Sequence, residues 1–440
     1  MYYLCAEYKG TKKCEALGTD IIIVGGGAAG LFAALAAARG GASVTILEKM
    51  ERAGRKVRIT GKGRCNITNT KPWQEFSIHI HPNSNFLRHS FYSLSNIDTI
   101  TLFNEIGLKT VVERGDRVFP ESGVASDVVE VLLKELSALR VKIEYRACVK
   151  GVVKGAVKER GVGVEEASEM ERIGEVVTGV VYEKDGRKCQ LDCRVLIIAT
   201  GGLSYPATGS DGDGYRFASD LGHTVVDCFP SLTALMPVGY TKELEGLNLK
   251  NIEIALSIDN DIVQREFGEL EFTNNGLEGS VGFKVSRRAV NAIRSGSRCS
   301  VYIDLKPAIT KEQLILRLER ELATEKDLSK ALYKVLPSRL ARYFLSNKDR
   351  LGFDIKKVAA LLKSWRLDIT SFTSYERAVV TAGGVSLDEV VSKSMRSKLY
   401  NNLYFAGEVL NLDGDTGGYN LQIAFSTGYM AGQTAAKMSK

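Results

Sequence analysis

Histidine is scarce, four in 440 residues, and two of the four, His79 and His81, share a Pro/Asn-rich stretch. Zinc- and iron-type centres need several imidazole, thiolate or carboxylate ligands converging on one point. No metal is therefore expected. The eight cysteines have no zinc-type spacing, and the nearest pair, Cys189 and Cys193, lies on one strand-like run. They read as free thiols of a reducing compartment. Also missing is an unbroken apolar run. Ile21 to Ala38 is eighteen residues without a charge, the length of a membrane span, but Gly25, Gly26 and Gly27 interrupt its first half. Met1 to Thr19 has no continuous apolar stretch and carries Glu7, Lys9, Lys12, Lys13 and Glu15, so it is no secretory signal. The expectation is a cytoplasmic protein with no membrane partner and an N-terminal extension over 1–19.

What is present describes an ordinary globular enzyme: 44% apolar residues, 25% charged and a net charge of +7. The length is a prior for about three domains at roughly 150 residues each, and it leaves the oligomeric state open. The most informative segment is Ile21-Ile22-Ile23-Val24-Gly25-Gly26-Gly27-Ala28-Ala29-Gly30, followed after a small-residue helix by Val44-Thr45-Ile46-Leu47-Glu48. A strand, a glycine turn, a helix and a second strand ending in an acid form a dinucleotide fingerprint. Gly25 permits the tight turn, Gly27 admits a pyrophosphate to the backbone N–H groups, and Gly30 lets helix and strand pack closely. Glu48 stands where a carboxylate accepts hydrogen bonds from a ribose and repels a 2′-phosphate, which selects FAD or NAD over NADP.

Apolar spacing predicts helices over Phe86–Ile106 and Ser126–Leu139, and a strand over Val141–Tyr145. Val149–Val153 and Val176–Glu183 read as an antiparallel excursion around a charged insert, 154–174. Val195–Ile198, closed by Thr200-Gly201-Gly202, reads as a buried parallel strand returning to the cofactor. From 224 to 306 the pattern becomes short alternating segments with a turn at Asp259-Asn260-Asp261. Helices are then predicted over Lys311–Ala323, Leu328–Phe344 (interrupted by Pro337) and Lys356–Trp365. The expected architecture is an α/β, Rossmann-like FAD-binding domain (20–205 and 376–440) split by an inserted β-rich substrate domain (206–305) and a small helical domain (306–375).

FAD is favoured over NAD by the strand-end glycine turns that recur at Gly201-Gly202 and Gly407-Glu408, which suit a long cofactor lying across the sheet, and by the stretch after the ribose-binding acid. Gly54 to Asn69 places hydrogen-bonding groups just after the ribose-binding acid, and Phe405 to Gln422 is a second glycine turn opening a helix at Gly418. The N-terminus of that helix would stabilise an anionic reduced flavin. Seven cations crowd Lys49 to Arg64, but no aromatic group interleaves them as at nucleic-acid surfaces. Nucleic acid is thus an unlikely partner, and a flavin-bearing nucleic-acid-binding or regulatory protein is a distant alternative. His223 reads as a structural residue at a helix end.

The blocks GGGAAG, GRKVRITGKGRCNITN, ATGGLSYPATGSDGDGY, VTAGGV and FAGEVLNLDGDTGGYNLQIAFSTG resemble the HI0933-like flavoproteins, also called YhiN or BaiN-like NAD(P)/FAD-dependent oxidoreductases. The resemblance runs from Asp20 to the C-terminus and implies an extended FAD. Carried over by motif, the cofactor contacts fall on Gly25, Gly27, Ala29, Glu48, Lys49, Arg55, Lys56, Asn66, Thr200, Gly201, Gly407, Glu408, Asn420 and Leu421, with Val149 contacting adenine through its backbone. Thr60 and Asn411 depart from the family's serine and aspartate. The resemblance implies either an NAD(P)H-fed reductase of a conjugated C=C bond in a small or steroid-like (3-oxo bile acid type) substrate, or an oxidase of a small amine such as aminoacetone. The reductase is favoured because the single dinucleotide fingerprint leaves a nicotinamide to load transiently over the flavin. Tyr205, Tyr419 and Arg64, in turns expected to face the flavin, are the candidate catalytic residues.

Overall fold

The computed structural model describes residues 12–13, 19–156, 175–346 and 354–439. Most of the expected 1–19 extension, and 157–174 of the expected insert, lie outside the described residues. The chain divides into two compact units, Met1–Cys228 with Val380–Lys440, and Phe229–Val379.

The first unit is built on a parallel sheet. Thr19–Val24 lies at its centre, flanked by Val44–Glu48 on one side and Arg187–Ile198 on the other, with Lys142–Tyr145 and Leu403–Phe405 outside these. Registers such as Ile21↔Val44 and Val195↔Ile21 fix the strand ends. The three central strands are rich in β-branched residues and buried on both faces where they pair, with Ile21, Ile22, Ile23, Leu196, Ile197 and Ile198 fully enclosed, as a helix-covered parallel sheet requires. Ala147–Ala156 and Glu175–Lys184 pair antiparallel on the extension of Arg187–Ile198, as their pattern predicts.

Ala28–Arg39 packs on the C-terminal helix Tyr419–Ser439 so closely that no side chain fits between their backbones. A Cβ on Gly428 would stand 2.2 Å from the Ala29 carbonyl oxygen, and one on Gly432 would stand 2.0 Å from that of Ala33. Gly40 faces Ala436 further along. The contacts advance in the same direction on both helices, so the two run parallel.

The second unit is a closed antiparallel barrel in the order Leu235–Pro237, Gly276–Glu278, Asp261–Thr273, Asn248–Ile258, Cys299–Asp304, Trp365–Phe372. The hairpin turn falls at Asp259 and Asn260, both at positive φ. Gly279–Arg294, read as part of the alternating segments, is a helix burying Val281, Val285, Ala289 and Val290. Helices Lys311–Glu325, Leu328–Val335, Ser338–Ser346 and Ile355–Lys363 form the excursion between the last two barrel strands.

The boundaries differ from the expectation in several places, and the first unit resumes at Val380 where 376 is expected. Residues 206–228 belong to the first unit, because Asp213–Asp220 packs Gly214 against Thr200 and Val409, and Lys49 bonds Asp213 at 2.9 Å. Trp365 opens a strand instead of ending a helix: it pairs with Ile303 and stacks on Phe272 at 5.6 Å, so packing overrides the helical pattern. The helical segment is therefore enclosed within the barrel's chain and does not stand as a third unit. Phe86–Ile106 is two helices, the second begun by a capping box of Ser95 and Asp98.

Candidate functional site

Four chain segments leave the carboxyl ends of neighbouring parallel strands at one edge of the sheet: Gly25 after Val24, Glu48, Thr200 after Ile198, and Gly407 after Phe405. That edge is where open α/β sheets bind ligands. Gly25 is at φ +103, and a Cβ there would lie 2.6 Å from the Ala199 oxygen; one on Gly30 would lie 1.9 Å from the Gly25 oxygen. Gly27 is the opposite case. It is the N-terminal cap of Ala28–Arg39, at an ordinary φ of −83, and a Cβ would meet nothing within 4 Å. Unsatisfied N–H groups at a helix start beside open space suit an anion such as a pyrophosphate. Ala29 follows in the first helical turn, buried against Gly407.

Glu48 is 8% exposed and accepts backbone hydrogen bonds from Gly26 and Met50, both at 2.8 Å. Burial pushes its carboxyl upward, against those two bonds and the nearby Lys49 and Arg55. The two backbone bonds fix the carboxylate while each oxygen keeps lone-pair capacity for a ribose hydroxyl. Val149 is a buried strand residue opposite Tyr182.

Lys56 and Glu408, 352 positions apart, meet at 2.8 Å. Ser204 joins them, accepting from Lys56 at 2.6 Å and donating to Glu408 at 2.6 Å, and the Thr381 N–H donates to Glu408 at 2.8 Å. Thr381 in turn accepts from the N–H groups of Leu203 and Ser204. This network binds the turns after two sheet strands to the start of the glycine-rich basic loop. Gly201 and Gly407, at φ +77 and +78, form those turns.

The basic loop spends its charge internally. Lys49, Arg52, Arg55, Lys56, Arg58 and Arg64 each have a carboxylate within 4.0 Å. The Asp211 and Asp213 carboxylates outweigh the burial of Lys49 and hold its ammonium in the charged form.

The GRCNITN block is tied to the C-terminal glycine turn. The Asn66 amide oxygen accepts from the Gly418 N–H at 3.0 Å while its nitrogen donates to Thr68. Asn69 donates to the Gly417 oxygen at 3.3 Å. Gly418, at φ +97, sits so close that a Cβ would lie 2.4 Å from the Thr68 oxygen. The Asn420 side chain closes the turn on Gly414 and Asp415, leaving its backbone and that of half-buried Leu421 at the first turn of the helix. The side chains of Asn66 and Asn420 thus position loops.

The three catalytic candidates are placed differently. Tyr205 is half-buried in a left-handed turn at φ +53. Arg64 is exposed, paired with Glu113 and stacked over Phe119 at 4.4 Å. Tyr419 is 3% exposed, and burial together with the charges of Asp415 and Asp116 pushes its hydroxyl well above the usual phenol range. His223 is buried, bonded to Ser397 at 2.8 Å and packed on Phe405. Thr60 bonds the Val57 oxygen at 2.7 Å, and the Asn411 N–H bonds Val385. Among the described residues, no group of three or more His, Cys, Asp or Glu residues could hold a metal ion, and no helix is long and apolar enough to cross a membrane.

Sequence reading missed Ser204, Thr381, Gly428, Gly432, Asp415 and the histidines beside it. The GxxxG spacing of Gly428 and Gly432 was the available signal for the close helix pairing; the others converge only in three dimensions.

A fingerprint turn with open space at Gly27, an anchored acid at Glu48 and a second chain end returning to the same sheet edge define an FAD-dependent oxidoreductase of the Rossmann-like class. The model of the HI0933-like protein Rossmann domain matches residues 19–434, and the chain belongs to that family. It is 31% identical over 428 residues to a 3-dehydro-bile acid delta(4,6)-reductase of Clostridium scindens, covering 94% of this chain and 98% of that one. It is 30% identical over 420 residues to a ribosomal RNA dihydrouridine synthase of Haemophilus influenzae, covering 93% and 97%. Its fold is similar to that of a 3-ketosteroid delta1-dehydrogenase from Sterolibacterium denitrificans, with a TM-score of 0.53 at 14% identity, covering 96% of this chain and 100% of that one.

Proposed function

We propose that this protein is an NAD(P)H-fed, FAD-dependent reductase of a C=C bond conjugated to a carbonyl. One observation carries the reading: two relatives aligned over more than nine-tenths of each chain have names that differ in substrate but share a saturated double bond. A 3-oxo-4,6-diene and the 5,6-bond of uracil are both alkenes polarised by a carbonyl. When bound, FAD supplies the hydride for such an alkene.

The chain's own residues support binding of that group. The open N-terminus at Gly27 takes the pyrophosphate and Glu48 the ribose. The network of Lys56, Ser204, Thr381 and Glu408 presents a fixed carboxylate and ammonium between the two glycine turns, suited to hydroxyls along the cofactor. The helix beginning at Tyr419 offers backbone N–H groups to a ring that becomes anionic on reduction.

We favour a small or steroid-like enone over an RNA uracil because the most basic segment is paired with internal carboxylates and is not a free cationic surface. The test is an anaerobic acceptor screen of enzyme reduced by NADH or NADPH, with product mass as readout. A 3-oxo-4-ene bile acid that gains two hydrogens supports the reading. Dihydrouridine formed only in an rRNA transcript moves the substrate to RNA, and hydrogen peroxide formed from aminoacetone without nicotinamide makes the protein an oxidase.

A further inference from the structure

Asp415, in the turn before the C-terminal helix, holds two imidazoles at once. His79 Nδ1 lies 2.8 Å from one carboxylate oxygen and His81 Nε2 lies 3.1 Å from the other. The arrangement is built by backbone. Ile80–His81 pairs antiparallel with Asp413–Gly414, and the Asp415 N–H donates to the His79 oxygen at 2.9 Å. The His79 ring stacks on Tyr419 with centroids 4.5 Å apart, and the Tyr419 ring meets Phe76 edge-on. Side-chain exposures of 19% for His79, 30% for His81 and 18% for Asp415 describe a supported pair with access to solvent. Burial opposes ionisation of Asp415, but the two histidine bonds outweigh it and bring the carboxyl to about 2. The carboxylate is therefore charged throughout the physiological range.

The helix pairing locates this cluster. Gly428 sits against Ala29, beside the pyrophosphate end, and Tyr419 begins the same helix nine residues earlier. At 1.5 Å per residue that is an offset of about 14 Å along the axis. The C-terminal helix thus projects beyond the start of Ala28–Arg39, on the side where Gly27 opens to free space. The cluster also adjoins the turn whose Gly418 and Asn420 form the start of that helix.

We propose that His79 and His81, held on Asp415, form the proton-delivering pair at the ring end of the site. This rests on the reading of the protein as a C=C reductase. The alkene carbon β to the carbonyl takes a hydride, two electrons and one proton, from reduced FAD, which is thereby oxidised. The α carbon takes a proton from an imidazolium of the pair, so two C–H bonds replace the π bond. The imidazole left neutral regains its proton from water, and Asp415 holds the other ring in place. NAD(P)H is the reductant that restores FAD. Other charges near this group are Asp116 and Arg117, at the turn joining the antiparallel strands Thr110–Glu113 and Arg117–Pro120, and Glu75 from the short helix Trp73–Phe76, all in electrostatic reach of Tyr419.

The test uses the FAD-loaded enzyme and variants that keep the donor to Asp415 while removing the ionisable ring: His79→Asn, whose amide replaces Nδ1, His81→Gln, whose amide replaces Nε2, and the double variant. The first readout is visible absorption of bound FAD titrated from pH 5 to 9. We expect a pH-dependent shift in the wild type that the double variant lacks at equal FAD content. The second is the pair of half-reactions, reduction by NADPH and reoxidation by a 3-oxo-4-ene bile acid. The double variant should slow reoxidation about 100-fold relative to reduction, within the range of general acid catalysis. Unchanged titration and an unchanged ratio of half-reaction rates overturn the pair while leaving the flavin reading intact. Should the double variant lose FAD, each single variant and the wild-type solvent deuterium effect on reoxidation decide the question; an effect near 1 overturns the proposal. A wild-type protein that takes up no FAD overturns both readings.

Discussion

Replacing Gly27 by alanine separates cofactor binding from folding. The native φ of −83 and ψ of −170 are open to any L-residue, and the added methyl meets no protein atom within 4 Å. The apo-protein should therefore be no less stable than the wild type and gain up to about 1 kcal/mol, because alanine lowers the conformational entropy of the unfolded chain. The same methyl would occupy the space assigned to the pyrophosphate. Moving the phosphates outward sacrifices one or two charge-assisted N–H bonds at about 1.5–3 kcal/mol each, and a loss of about 1.4 kcal/mol is tenfold in affinity. FAD affinity should fall between roughly tenfold and about twenty-thousandfold by that conversion. The assays are urea unfolding of apo-protein and FAD titration by fluorescence quenching. A variant that binds FAD with wild-type affinity would refute the assignment, whereas one that unfolds in the apo state would refute the steric argument. Gly30→Ala is the control, since its Cβ would stand 1.9 Å from the Gly25 oxygen and the fold itself should suffer.

Gly432→Ala sets helix propensity against sterics: alanine gains about 1 kcal/mol in a helix, but a Cβ 2.0 Å from the Ala33 oxygen forces two backbones apart, so a net loss of about 1–3 kcal/mol is expected in denaturant unfolding. Lys56→Met removes the cation from Glu408, both side chains being about one-fifth exposed, and should cost about 1–3 kcal/mol and weaken FAD binding in the same titration; retention of both would show the network to be idle. Asp415 has a depressed folded-state pKa, so its stabilisation is present above the unfolded value near pH 4 and is lost as pH falls toward about 2. That shift corresponds to about 2–3 kcal/mol, and Asp415→Asn should flatten this acid limb of stability against pH in urea melts at pH 2 to 7.

The parts of the site legible in the sequence are those made by adjacent residues. Gly25, Gly27, Gly30 and Glu48 lie within one strand-helix-strand unit, so their spacing states their geometry. The hairpin around Asp259 is likewise local, with alternation on both sides of a turn. By contrast, Trp365–Phe372 becomes the closing barrel strand through partners more than sixty residues away, and its own pattern gives no register. The helix Gly279–Arg294 hides because its apolar stripe is carried by Val281, Val285, Ala289 and Val290 among arginines and glycines that resemble a loop. Lys56 meets Glu408 across 352 positions, and His79 meets Asp415 across 336. Such pairs carry no signature in a single sequence: Tyr419 stands out by its glycine turn, whereas the histidine stacked on it has no local pattern that marks it.

The most direct test of the FAD site is the visible spectrum of the purified protein under anaerobic conditions, after incubation with FAD and removal of excess, before and after addition of NADH and then NADPH. The FAD site predicts a stoichiometric yellow complex, and the proposed function adds bleaching by a nicotinamide and recovery of the colour on addition of an enone. A colourless protein that retains no FAD would contradict it.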